Sequence, residues 1–262
     1  NIPGKIFVDE LGVNAQSSLF YNPKKLSNYT LDESEYNEWK SKFILDKTSK
    51  NMNIPQKAKG EYFGLRHVAD YLFQILFGFP TFSNSSVRKK IRSILGRKVE
   101  IKKQYNHNIV SRINDFIFFP MQVSSDTQIK INSSIDNRQA IELIVNKYEV
   151  DNVIIKPHPA DSDVEYVLDL VENSANLNVS NENTYSLIMR SKHVITINST
   201  VGLEALIFGK PVTFLGNSIF SSMTKHDIAV YLMKYLINID FFNVRETLSI
   251  DKIEEIYDRV TV

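Results

Sequence analysis

Between residues 115 and 215 the sequence alternates short apolar runs with stretches whose apolar residues recur at helical spacing. That alternation constrains the fold more than any other feature of the chain. The runs are Asp115–Phe119, closed by Pro120, then Val153–Ile155, Leu177–Val179, Val194–Ile197 and Pro211–Leu215. Between them, Asn137–Val150 places Ala140, Ile141, Ile144, Val145 and Tyr148 on one helical face. Val164, Val167, Leu168 and Val171 repeat the pattern, and Thr184–Arg190 and Val201–Phe208 read as shorter helices, the latter closed by Gly209. Short connections and nearly continuous apolar strands predict an α/β fold with a parallel sheet covered on both faces.

The rest of the chain is patterned differently. Lys5–Val8 reads as one strand, while Glu33–Leu45, Tyr62–Phe77 and Val87–Leu95 read as helices, so a complete second sheet is not visible there. Asp227–Ile237 and Asp251–Val260 are helical by pattern. The expected division is an amino-side lobe over 1–110, helix-rich and incomplete, a Rossmann-type lobe over 111–225, and carboxyl-terminal helices over 226–262 that pack back across the lobes. A chain of 262 residues that opens at Asn1 on a strand-like run, without an initiator methionine, reads as a fragment or a processed product.

Composition narrows the class. Hydrophobic residues make up 43% and charged residues 23%, the balance of a water-soluble globular protein. There is no cysteine, which excludes disulfide frameworks and thiolate metal sites and suits a reducing compartment. No apolar run nears the ~20 residues a membrane span requires, and no signal peptide is evident. The five histidines are scattered without metal-ligand spacing, so metal ligation looks weak, and no Gly-rich phosphate loop is present; no cofactor is expected, and no nucleic-acid partner. The net charge of +1 conceals a basic run, Arg88–Lys103, that suits an anionic membrane surface or acidic polymer as well as a solvated helix face.

Chemistry concentrates just past the expected strands. Lys156-Pro157-His158-Pro159 follows Val153–Ile155, and Asn198-Ser199-Thr200-Val201-Gly202-Leu203-Glu204 follows Val194–Ile197. In open parallel sheets, ligands bind outside the carboxyl ends of strands. A histidine fixed between prolines either hydrogen-bonds a phosphate or leaving group or merely caps a strand end. Ser199 and Thr200 open a helix, as cap residues do, and Gly202 would bare the first-turn amides to an anion. Glu204 is placed either as a partner of the helix dipole or as an acceptor for a ribose diol. Pro120–Thr127 is a polar loop facing the same edge, and its Asp126 reads equally as a nucleophile or base and as a turn-capping aspartate.

Four segments, DELGVNAQSS at 9–18, FPMQVSSDTQ at 119–128, KPHP at 156–159 and NSTVGLEALIFGKPVTFLG at 198–216, together resemble the capsule polysaccharide biosynthesis family. That family includes bacterial retaining β-Kdo transferases, which use CMP-Kdo. The resemblance implies a GT-B architecture of two Rossmann-like lobes. It implies that Asp126 is the catalytic carboxylate, that His158 and Ser199–Thr200 engage the CMP phosphate, and that Glu204 engages the ribose. Gln122, Lys156, Gly202 and Asn14 join them as substrate-binding residues, with no metal. The implied partners are the CMP-Kdo donor, a lipid-linked or oligosaccharide acceptor, and an anionic membrane reached through Arg88–Lys103, at the cytoplasmic face of a bacterial inner membrane. A sialyl- or polysialyltransferase, or a polyol-phosphate transferase, would keep the fold and change the donor. A non-catalytic subunit of capsule assembly or export is the reading from another class.

Overall fold

The β-branched and aromatic runs form strands because their side chains are buried on both faces. All five residues of β1 (Phe116–Pro120) are buried, as are Val153, Ile154 and Ile155 of β2 (Val153–Lys156). With β3 (Leu177–Val179), β4 (Ser191–Thr196) and β5 (Val212–Phe214) they build a five-stranded sheet in the order β3-β2-β1-β4-β5. Every adjacent pair is parallel, with Phe118 of β1 opposite Ile154 on one side and Val194 on the other. The expected α/β class is thereby confirmed. These details come from a computed structural model that describes residues 2, 4–12, 16–49, 113–148, 151–159, 165–240 and 247–261. The expected helices Tyr62–Phe77 and Val87–Leu95 and the basic run Arg88–Lys103 lie outside the described residues.

The helices begin where polar side chains satisfy their open amides. In α1 (Glu33–Thr48) Asp32 accepts from Ser34 N at 2.8 Å. A six-residue helix, α2 (Thr127–Asn132), starts at Asp126. Ahead of α3 (Asn137–Lys147), Asp136 and Gln139 form a reciprocal capping box, at 2.9 and 3.0 Å. The helices α4 (Glu165–Glu172), α5 (Thr184–Arg190) and α6 (Thr200–Ile207) complete the crossovers. After α6, Gly209 takes φ of 77°, which glycine adopts freely, and donates to the Leu206 carbonyl. Lys210, assigned no chemistry by its sequence context, ties this turn to the Met189 and Ser191 carbonyls, at 2.6 and 2.9 Å.

Because β4 returns to the far side of β1 after β3, the strand order reverses between β1 and β4. That reversal is the topological switch point, where open α/β sheets bind ligands. On one face of the sheet Phe116, Phe118, Ile154 and Val194 pack against Leu187 and Ile188 of α5 and Ala205 of α6. On the crossovers toward β2 and β3, α3 buries Ala140, Ile141 and Ile144, and α4 buries Val167.

A second core crosses the expected division of the chain. Ile2, Leu19, Leu26, Tyr36 and Phe43 share one buried cluster with Leu203 and Ile207 of α6 and with Tyr231, Leu232 and Tyr235. A boundary at residue 110 therefore does not separate residues 2–49 from the carboxyl-terminal half, and residues 1–50 belong to one unit with 107–262. The strand expected at Lys5–Val8 is also absent: only Ile6 pairs, in an isolated antiparallel bridge to Ile237. The helix expected over Asp227–Ile237 is split into α7 (Lys225–Val230) and a π turn, Tyr231–Tyr235. In that wider turn Leu236 N donates to Tyr231 O at 2.9 Å, and the rings of Tyr231 and Tyr235 stack at 5.9 Å. The last helix, α8 (Ile250–Val260), is held by Arg259, which donates to the Tyr235 carbonyl and lies 4.5 Å from its ring.

Candidate functional site

The carboxyl ends of β1 and β4 are joined by a buried amide network. Gln122 lies two residues past β1 and Asn198 two residues past β4, and they are 6% and 7% exposed. Asn198 N donates to Gln122 Oε1 at 3.0 Å, and Gln122 Nε2 returns a bond to Asn198 Oδ1 at 2.9 Å. The Gln122 backbone is paired in the same two-way manner. Its N–H reaches Asn137 Oδ1 at 3.2 Å, and its carbonyl accepts Asn137 Nδ2 at 2.7 Å. Asn198 Nδ2 completes the set on the α2 carbonyls, Gln128 O at 2.9 Å and Asn132 O at 3.5 Å. Gln122, expected on substrate, is thus engaged at both ends of its side-chain amide inside the protein.

Asp126 sits half-buried at the start of α2. Its Oδ1 accepts Gln128 N at 2.9 Å, and its own N–H donates to Val123 O at 2.8 Å. The capping geometry is real, and Oδ2 makes no hydrogen bond to another described residue. His158, half-buried between the buried Pro157 and the exposed Pro159, follows β2, the strand beside β1. Ser199 is the N-cap of α6, its hydroxyl accepting Val201 N at 3.1 Å, and Thr200 is exposed beside it. The loops carrying His158, Asp126 and Ser199–Thr200 therefore leave three adjacent strands, β2, β1 and β4, at one edge.

Three expectations change on inspection of the contacts. Gly202, expected to bare the first-turn amides, donates its own N–H to Ser199 O at 2.9 Å. A Cβ there would lie 2.4 Å from the Phe214 ring and 3.0 Å from the Thr196 methyl, so the glycine permits close packing of α6 on the sheet. Lys156 turns onto the loop after β3 and donates to the Glu182 carbonyl at 2.5 Å. Burial lowers its pKa, and Glu182 partly offsets this. Glu204 is 9% exposed and accepts the Tyr185 hydroxyl at 2.9 Å, so a ribose contact would fall to its second oxygen. Burial raises the Glu204 pKa, opposed by the Tyr185 bond and by Lys47. Burial and the Glu204 charge raise that of Tyr185.

Asn14 lies outside the described residues. Asp9, 1% exposed, accepts Ser18 N at 2.8 Å, Ser17 Oγ and Leu11 N at 2.9 Å, and Ser18 Oγ at 3.1 Å. Sequence reasoning missed the roles of Asp9, Asn137 and Asn198. The signal available for the two asparagines was an amide side chain directly beyond a buried strand or at a helix start. Among the described residues no three His, Cys, Asp or Glu side chains group as metal ligands would, and no helix is long and apolar enough to cross a membrane.

The fold and this edge define an α/β protein of Rossmann type whose polar residues gather at the sheet's switch point. The chain belongs to the capsule polysaccharide biosynthesis protein family, whose profile matches residues 3–225. It is 36% identical over 112 residues to Protein FixF of Sinorhizobium fredii, covering 40% of this chain and 27% of that protein. It is 30% identical over 114 residues to the capsule polysaccharide export protein KpsS of Escherichia coli, covering 38% and 29%. The chain thus spans under a third of the length of these curated relatives. Among solved structures it resembles the beta Kdo 2,7 transferase of Thermosulfurimonas dismutans KpsC, with 23% identity and a TM-score of 0.43. That alignment covers 56% of this chain and 53% of the other. The beta Kdo 2,4 transferase of the same protein aligns at 15% identity and a TM-score of 0.41, covering 57% and 53%.

Proposed function

We propose that this chain carries the donor-nucleotide portion of a GT-B glycosyltransferase that moves Kdo, with retention, from CMP-Kdo to a hydroxyl of a capsule or lipopolysaccharide glycan. The observation that carries the reading is the placement of Asp126, His158 and Ser199–Thr200 on three adjacent strand ends at the switch point, in a chain that belongs to a capsule polysaccharide biosynthesis family. Asp126 Oδ2 attacks the anomeric carbon as the bond to the CMP phosphate breaks, and the electron pair leaves with CMP. His158 and the hydroxyls of Ser199 and Thr200 hydrogen-bond the departing phosphate. The acceptor hydroxyl then displaces Asp126 from the opposite face, restoring its carboxylate, and passes its proton to the released CMP phosphate, so two inversions yield retention. Leaving-group charge is stabilised by protein donors, with no metal in the scheme. The acceptor is lipid-linked or an oligosaccharide, and the basic run Arg88–Lys103 holds the protein at an anionic membrane surface.

Asp126→Asn tests the central claim while sparing the fold, since asparagine caps a helix as well as aspartate does. Transfer from CMP-Kdo should fall below detection while CMP affinity by calorimetry and the melting temperature stay near native. His158→Ala should weaken CMP by roughly ten-fold or more, the loss of one charge-assisted contact of ~1.5–3 kcal/mol. Full transfer by Asp126→Asn would return that residue to a purely capping role.

A further inference from the structure

We infer that Asn198, acting with Gln122, is a positioning residue that fixes Asp126 relative to the Ser199–Thr200 helix start. The inference rests on the reading of Asp126 as the attacking carboxylate. Asp126 belongs to a segment that departs from β1 and comes back to the sheet edge. Its start is held at Gln122, whose backbone is paired with Asn137 and whose side chain is paired with Asn198. Its end is held at α2, whose Gln128 and Asn132 carbonyls accept the same Asn198 amide. Both ends of the segment therefore converge on one side chain, and that side chain directly precedes Ser199.

A second tie comes from β5. Asn132 O accepts Asn217 N at 2.7 Å, and it lies 3.1 Å from where a Cβ of Gly216 would be, so α2 is seated against the ends of β4 and β5 together. The helix needs these ties. Six residues are too few to be stable as an isolated helix in water, and only Ile129 of the six is buried. A reacting carboxylate held by such a helix keeps its place through its supporting bonds. The chemistry of the clamp also requires amides. Asn198 must accept from Gln122 and donate to two carbonyls at once, which a carboxylate cannot do, and all three amide residues are 7% exposed or less.

Asn198→Asp changes one NH2 to an oxygen and sets it against the Gln128 and Asn132 carbonyls, while still accepting from Gln122. Amide exchange followed by mass spectrometry should show at least ten-fold faster exchange in peptides covering 123–132, with the β1 and β4 peptides unchanged. Single-turnover transfer should slow about 100-fold, the scale of a 1 Å misplacement. CMP affinity should stay within about three-fold, a split that a general loss of structure would not give. Gln122→Glu, which removes the reciprocal donor, should repeat the pattern more weakly and serves if Asn198→Asp fails to fold. In an Asp126→Asn background, Asn198→Asp should lower residual donor hydrolysis no further.

Unchanged exchange over 123–132 would overturn the clamp, and faster exchange with native transfer in an enzyme that Asp126→Asn inactivates would overturn the positioning role. If Asp126→Asn itself transfers normally, the catalytic reading fails. The exchange result then still decides whether the clamp exists.

Discussion

Two buried carboxylates carry opposite loads at the residue scale. Asp9 is surrounded by donors from Leu11, Ser17 and Ser18, which satisfy its charge. Glu204 lies between α5 and α6 with Tyr185 as its bonded partner, and burial outweighs that bond and Lys47 to raise its pKa above the usual 4.5. The folded protein thus holds the Glu204 proton more tightly than the unfolded chain does. Above pH 4.5 the unfolded chain releases that proton first, so stability falls as pH rises from 4.5 through the raised value, and the loss is absent below 4.5. Glu204→Gln keeps an acceptor for the Tyr185 hydroxyl and removes the titration. Thermal melts should show the variant more stable than native at pH 7.5, with the difference closing toward pH 4.5. A difference constant across that range would mean that burial of Glu204 is not costly. None of this was legible in the sequence, where Glu204 read as a dipole partner or a ribose ligand, because the Tyr185 contact is made across nineteen positions.

Elements were legible where a local pattern and its tertiary fate agreed. The apolar residues of β1 to β4 are buried, so their runs announced those strands, and Gly209 announced the end of α6, where it takes a left-handed φ. The failures have physical causes. α2 is not announced in the sequence because six mostly polar residues show no periodicity, and its stability comes from Asp126, Asn198 and Asn217. Lys5–Val8 has strand composition but its backbone pairs only at Ile6, with Ile237, and the π turn at Tyr231–Tyr235 has no sequence signature. Gly202 marks a close contact of α6 with Phe214 of β5. That assignment predicts that Gly202→Ala, ordinarily favourable within a helix, will destabilise by about 1–3 kcal/mol, because its methyl meets Phe214. Phe214→Leu should recover part of the loss in a double-mutant cycle measured by denaturant unfolding. Additive effects would place the strain elsewhere.

At the scale of the whole molecule, the chain's order along the sequence and its order in space diverge. Sequence pattern divides it near residue 110, yet Leu19, Leu26, Tyr36 and Phe43 are buried against Leu203, Ile207, Leu232 and Tyr235. Trp39 bridges Tyr36 and Phe43, and Phe43 in turn meets Phe208 at the end of α6. Such long-range contacts leave no local periodicity that reveals their partners, so the division read from the sequence could not include them. Their size makes them testable. Burying one large apolar side chain is worth ~1.5–3 kcal/mol, whereas a whole domain is stable by only ~5–15 kcal/mol. Removing four such side chains therefore consumes most or all of that margin. Residues 107–262 expressed alone should lose the cooperative unfolding transition of the full chain. Co-expression with residues 1–50 should restore it, and the two pieces should purify together at equal stoichiometry, a recovery that Leu26→Asp in the shorter piece should abolish. If 107–262 alone melts at the temperature of the full chain, residues 2–49 cover the carboxyl-terminal half without stabilising it, and the shared core would not be what holds the two together.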